Sequence, residues 1–168
     1  MIEDPIPAPF VSDNRSVPAD WIDLNGHMNI ARYLQAFDEA FDEAYEVIGI
    51  NKEYMEQARG STFACEIHLT YQRELFEGDR FRVTTQLVNF DLKRMHWIQC
   101  MYHREQGYLA ATAETLYLHI DIDKRAVVPM PAALEQRFTK IMSAQASLPV
   151  PPQVGRKIDF HRRRENAS

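Results

Sequence analysis

The chain has 168 residues, 19 basic against 24 acidic, for a net charge of −5. That length suits one domain with one core, and the mild acidity argues against nucleic acid as the main partner. The six glycines, Gly26, Gly49, Gly60, Gly78, Gly107 and Gly155, are never closer than eleven residues apart. This excludes the clustered-glycine loops that bring backbone N–H groups onto nucleotide phosphates.

Met1 to Phe10 holds three prolines and two acids, with neither the basic patch nor the apolar stretch of a secretory leader. No apolar run approaches the ~20 residues of a membrane span, so the expectation is a cytoplasmic protein without a membrane partner. An extended stretch is expected around Pro9 to Pro18. A turn-like cluster, Asp23-Leu24-Asn25-Gly26-His27, then precedes a long helix. Ile30, Tyr33, Leu34, Phe37, Phe41, Tyr45 and Ile48 recur at the 3–4 residue spacing of one helix face, with Ala40 and Ala44 in the same stripe. Burying that face contributes on the order of 10–20 kcal/mol gross. Gly49 is the expected C-terminal stop.

The charges of this helix oppose its macrodipole. Arg32 sits in the first turn, while Asp38, Glu39, Asp42, Glu43 and Glu46 crowd the middle and end. Tertiary burial must therefore hold the helix, and the five acids read as a solvated face. With no acid in its first turn, the helix keeps N–H groups free for a ligand.

A short helical or irregular piece, Lys52 to Arg59, leads into four strands: Ser61 to Arg73, Arg80 to Phe90, Arg94 to Arg104 and Tyr108 to Asp121. Their turns are Gly78-Asp79, Asp91-Leu92-Lys93 and Glu105-Gln106-Gly107. Long consecutive antiparallel strands after one apolar helix predict an α+β fold, a curved sheet wrapped around that central helix. A further helix is expected from Ala132 to Met142. The domain is taken as residues 1–145, and the Pro-rich, basic segment 146–168 as an exposed arm or a contact with a partner subunit. Cys65 and Cys100 fall in strand-like runs and read as inert core thiols. His68, His96, His103 and His119 fall in strands and His161 in the tail, with no metal-ligand spacing. No metal and no cofactor is expected.

The stretch from Asp23 to Tyr33 carries the chemistry. A carboxylate, a carboxamide and an imidazole at Asp23, Asn25 and His27 project to one side of an extended loop, ahead of a helix N-terminus that Asn29 would cap. A base or nucleophile, an orienting amide, an imidazole and backbone donors are what acyl transfer needs. The same residues also read as an Asx turn, a helix cap and a surface histidine. Gly26, between Asn25 and His27, lets a substrate carbonyl approach the backbone, and the N–H groups near Met28 are the expected oxyanion donors.

The string Asp-x-Asn-Gly-His-Met-Asn-x-x-x-Tyr before a long helix and four strands resembles the hotdog-fold thioesterases of the 4-hydroxybenzoyl-CoA thioesterase type. It is also similar to the Asp-x-Asn-x-His motif of plant acyl-ACP thioesterases. The resemblance covers about Val17 to Pro129. It implies that Asp23 activates water or attacks the thioester carbonyl, while Asn25 and His27 position and polarise. By the same resemblance Glu74, in Tyr71-Gln72-Arg73-Glu74-Leu75, is a further catalytic acid, and Leu75 stands where the acyl-ACP enzymes carry a cysteine. It also implies a homodimer, possibly pairing into a tetramer, with sheets joined edge to edge and active sites at the interface. The acyl-CoA substrate would lie with its CoA moiety largely outside the pocket, where Lys93, Arg94 and Arg125 could meet its phosphates.

Substrate contacts are expected from Gly26, Met28, Asn29, Tyr33 and Trp21. The run Trp21-Ile22-Asp23-x-Asn-Gly-His is similar to thioesterases of carnitine breakdown that act on betainyl-CoA, for which an aromatic cage suits the quaternary ammonium. Trp21, Tyr54, Phe63, Tyr71 and Trp97 equally read as core or interface. The expected reaction is hydrolysis of an acyl-CoA thioester. The alternatives are an enoyl-CoA hydratase or dehydratase on the same fold, and a non-catalytic acyl-CoA-binding module.

Overall fold

The computed structural model describes residues 5–160. Strand β1 (Phe10–Ser16) precedes helix α1 (Ile30–Ile48) and the short α2 (Lys52–Ala58). Strands β2 (Gly60–Tyr71), β3 (Arg80–Phe90), β4 (Arg94–His103), β5 (Leu109–Asp121) and β6 (Ala126–Val127) follow, then α3 (Ala132–Gln145). The strands form one antiparallel sheet in the order β1-β3-β4-β5-β2, with β6 beside β5. Helix α1 packs against β1, β3 and β5, so the sheet curls around it as the sequence predicts. The chain is a hotdog fold of the α+β class.

Helix α1 starts where Asn29 Oδ1 accepts the Ala31 N–H and ends where Gly49 turns left-handed at φ 88°. Its buried residues are Tyr33, Ala36, Phe37, Ala40, Phe41, Ala44 and Ile48. Ile30 and Leu34, expected in the stripe, are instead exposed. They lie on the flank that faces β2, the last strand of the sheet, where no further strand covers them. Phe41 stacks on Tyr117 at 5.0 Å and meets Trp97 edge-on at 5.3 Å. One half of the core surrounds the start of α1, the other its end, where α3 adds Leu134, Phe138 and Ile141.

The acidic run divides between two flanks. Glu39 and Glu43 are not simply solvated, since both pair with the partly buried Arg15 of β1. Asp38, Asp42 and Glu46 are exposed on the other flank. Partial burial, with Asp38 and Glu39 close by, raises the Asp42 carboxyl above the usual carboxylate range.

Two further expectations change. Cys100 is a buried core thiol, pushed up to about 11 by burial, but Cys65 is exposed. It sits at the register shift of β2, the edge strand, with nothing packed beyond it. The segment after α3 is not a free arm over its whole length. Gln153 is buried, and the Gly155 N–H donates to both carboxylate oxygens of Glu114 on β5. The basic run from His161 lies outside the described residues.

Candidate active site

The loop ahead of α1 is a small hairpin. Asp23 N–H donates to His27 O at 3.0 Å and Asn29 N–H to Trp21 O at 2.8 Å, around an antiparallel bridge between Ile22 and Met28. Asp23 Oδ1 accepts the Asn25 N–H at 2.8 Å, closing an Asx turn. Gly26 follows at φ 81° with open space where a side chain would begin. The left-handed backbone by itself favours a glycine here. Asn25 is exposed; Asp23 and His27 are half-buried.

The loop is fastened to the chain just after β2. Leu75 is fully buried, and both of its backbone groups are used. Its carbonyl accepts the Met28 N–H at 2.8 Å and its N–H donates to the Tyr33 hydroxyl at 3.2 Å. One residue earlier, the Tyr108 hydroxyl donates to Glu74 O at 2.8 Å, while the Arg73 guanidinium lies 4.0 Å over the Tyr108 ring. These bonds bring Glu74 Oε1 to 3.8 Å from His27 Nε2. That is ion-pair range, too long for a direct hydrogen bond. His27 Nδ1 lies 3.2 Å from Met28 O, so a proton on Nδ1 leaves Nε2 as the nitrogen facing Glu74.

A cavity of about 350 Å³ opens at this corner, lined by His27, Met28, Ile30, Tyr33, Tyr71, Gln72, Arg73 and Glu74. Asp23 and Asn25 are not among its lining residues. The Met28 N–H, expected as an oxyanion donor, is already committed to Leu75 O. The Asn29 and Ala31 N–H groups are likewise engaged. The Ile30 N–H, the first of α1, has no acceptor among the described residues, and Ile30 is one of the residues that line the cavity. Tyr33, already an acceptor for Leu75, keeps its own proton to donate. Burial pushes its phenol up to about 12. The Tyr71 hydroxyl donates to Ile30 O at 3.2 Å, and its ring meets Tyr33 edge-on at 5.3 Å.

Other expected contacts lie elsewhere. Trp21 is buried in the core with Arg32 6.0 Å over its ring, so it is no wall of a cage here. Lys93 and Arg94 sit in the β3–β4 hairpin, where Arg94 is held by Asp91, and Arg125 lies 5.6 Å over Phe63. None of the three reaches this cavity. Tyr108 and the Ile30 N–H carry no motif signal. Only the fold brings them to the corner. Among the described residues no cluster could hold a metal ion, and no helix is long and apolar enough to cross a membrane.

The description of the thioesterase-like superfamily matches residues 17–138, from before the hairpin into α3. The chain belongs to that family. A betainyl-CoA thioesterase of Pseudomonas aeruginosa is 34% identical over 139 residues, covering 83% of this chain and 87% of that protein. An L-carnitine dehydrogenase/betainyl-CoA thioesterase of Ruegeria pomeroyi is 35% identical over 150 residues, or 89% of this chain. This chain spans only 30% of that longer relative's length. The solved structure of a Staphylococcus aureus protein in complex with CoA has a TM-score of 0.84 at 28% identity, over 90% of this chain and 95% of that one.

The buried phenols make alkaline pH a probe of the site. Tyr33 has a folded-state pKa of about 12 against 10.0 when unperturbed. Its contribution to stability is therefore full below pH 10.0 and is lost as pH rises toward 12. In a phenolate absorbance titration of the wild type and Tyr33→Phe, the variant should lose one late-ionising phenol and show a shallower alkaline loss of stability. An unchanged late phase would show that Tyr33 ionises as an ordinary surface tyrosine does.

Proposed function

We propose that the protein hydrolyses an acyl-CoA thioester to a free acid and CoA, without a cofactor. The observation that carries this reading is the corner where His27, Glu74 and Ile30, whose N–H has no acceptor among the described residues, line one cavity at the start of α1. A thioester carbonyl there would accept from the Ile30 N–H, with the helix dipole favouring the oxyanion that forms. Asp23, the carboxylate the family motif points to, takes the proton of the attacking water or attacks the carbonyl itself. His27 faces the reacting carbon, with the Glu74 carboxylate 3.8 Å from its Nε2. The C–S bond then breaks and CoA leaves as a thiol, taking the proton that Asp23 removed from water. Where Asp23 itself attacks, the thiolate takes its proton from solvent, and water hydrolyses the acyl–Asp23 anhydride to the free acid. A second reading makes Glu74 the base, because Glu74 lines the cavity and Asp23 does not.

Two substitutions at one position separate these roles. Asp23→Asn keeps an oxygen for the Asn25 N–H but removes the negative charge, whereas Asp23→Ala removes both. If Asp23 is the base, both variants lose roughly 100- to 10,000-fold in kcat on an acyl-CoA panel with thiol detection. Retained turnover in Asp23→Asn with loss in Asp23→Ala would make Asp23 a loop former and Glu74 the base. Turnover by both variants and by Glu74→Gln would remove the site assignment altogether.

The reading extends to a homodimer joined through β2. That strand is 12 residues long, lies at the sheet edge and exposes Phe63, Ile67 and Tyr71. An uncovered edge of this length is a ready template for a second strand. Light scattering should give twice the chain mass for the wild type and a monomer for Ile67→Arg. A monomeric wild type would remove the dimer but leave the chemistry above intact.

Antiparallel pairing of two β2 edges would set the start of one strand beside the end of the other. The start of β2 borders a cavity of about 710 Å³ lined by Asp42, Tyr45, Glu46 and Thr62. One protomer's acids would then adjoin its partner's His27–Glu74 corner, which suits an acyl group bearing a fixed positive charge. The names of the relatives from Pseudomonas aeruginosa and Ruegeria pomeroyi support the same preference. Betainyl-CoA should therefore exceed 3,3-dimethylbutyryl-CoA, its uncharged isostere, by roughly ten-fold or more in kcat/KM. Equal rates would sink the cationic preference and leave thioester hydrolysis standing.

A further inference from the structure

The outer face of the sheet holds a second cavity, of about 560 Å³, that the thioester site does not use. His68 of β2 lines it, and Tyr71 of β2 lines the thioester cavity. The two are an odd number of positions apart on one strand, so they face opposite sides of the sheet. Arg94 and His96 of β4, Glu114 of β5 and Arg156 of the C-terminal segment complete the charged lining, with Asp91 and Glu66.

The acids at the floor already have partners. Glu114 receives His96 Nε2 at 2.7 Å and the Gly155 N–H at 2.9 Å on each oxygen. Asp91 holds the Arg94 guanidinium and the backbone N–H groups of Lys93 and Arg94, which keeps its carboxyl below the usual carboxylate range. Glu66 is exposed at the rim.

The basic groups are not matched in the same way. Arg156 makes no ion pair among the described residues, and its Nε is buried without an acceptor. His68 Nδ1 is buried and equally unpartnered, on the residue that faces Glu114 across the β2–β5 ladder. A guanidinium cannot shed its charge in a protein, and an unmatched buried donor is costly. Arg156 lines the cavity, and a guanidinium there can offer two N–H groups to the two oxygens of one anion. What Arg156 Nε and His68 Nδ1 lack is a partner.

We propose that this cavity is a binding site for a small oxyanion, a carboxylate or a phosphate, held by Arg156 and His68 on the face opposite the thioester site. Its occupant ties the C-terminal segment to the sheet, because Gly155 and Arg156 both belong to that segment. The site stands independently of the thioesterase reading.

The test uses the full chain with inorganic phosphate and acetate titrated separately, followed by the amide resonance of Gly155 and the ring resonances of His68 and His96. Saturable shifts with at least one anion are expected. A response to phosphate alone, or to acetate alone, identifies the class. Arg156→Gln should weaken the response roughly ten-fold or more while thioester hydrolysis and melting temperature stay unchanged. His68→Gln should also weaken it, and it serves as the second probe if Arg156→Gln loosens the tail. No saturable shift with either anion would overturn the proposal, leaving ordered water to serve both nitrogens. So would binding that is undiminished in both variants.

Discussion

The site depends on the double use of Leu75. Its carbonyl fastens the hairpin ahead of α1 through Met28, and its N–H fastens the first turn of α1 through Tyr33. Because Leu75 is buried, neither bond competes with water, and losing either would leave a buried polar backbone group unpaired. Three segments distant in sequence are thereby held at one point. The His27–Glu74 approach is a consequence of that clamp and not of attraction between the two side chains. At 3.8 Å, with Glu74 largely exposed, their own interaction is weak.

The clamp also fixes which backbone N–H groups ahead of α1 are engaged. Met28 spends its N–H on Leu75 and Asn29 spends its own within the hairpin on Trp21, so neither has one to spare. The next N–H, that of Ile30, is the first in line with the helix axis. There the dipole and the missing acceptor coincide. A helix with no acid in its first turn is poorly matched to its own charges. The burial of Phe37, Phe41 and Ile48 compensates.

Much of the fold was legible. The 3–4 residue recurrence of apolar side chains located α1, and the positions of Asn29 and Gly49 set its ends to the residue. The alternation in Phe81, Val83, Thr85 and Leu87 marked β3 as a strand with one buried face. What a period cannot show is which flank meets the sheet edge. Ile30 and Leu34 read as core because they are apolar, and Cys65 because its neighbours are, yet all three lie along the uncovered side. The acidic run has the same limit. Glu39 and Glu43 find Arg15 only because β1 crosses that flank of the helix.

By itself the sequence determined the fold class, the boundaries of α1 and a turn at Asp23-x-Asn25-Gly26-His27, because these rest on local periodicity, capping and turn-forming residues. Glu74 was within its reach too, through its place in a recognisable string. The tertiary structure alone decided which backbone donors stay free, that Tyr108 and Leu75 hold Glu74 to His27, and that the segment around Gly155 lies over Glu114. Those are pairings between residues tens of positions apart, and no local pattern encodes a bond whose second partner is set by how the sheet curls.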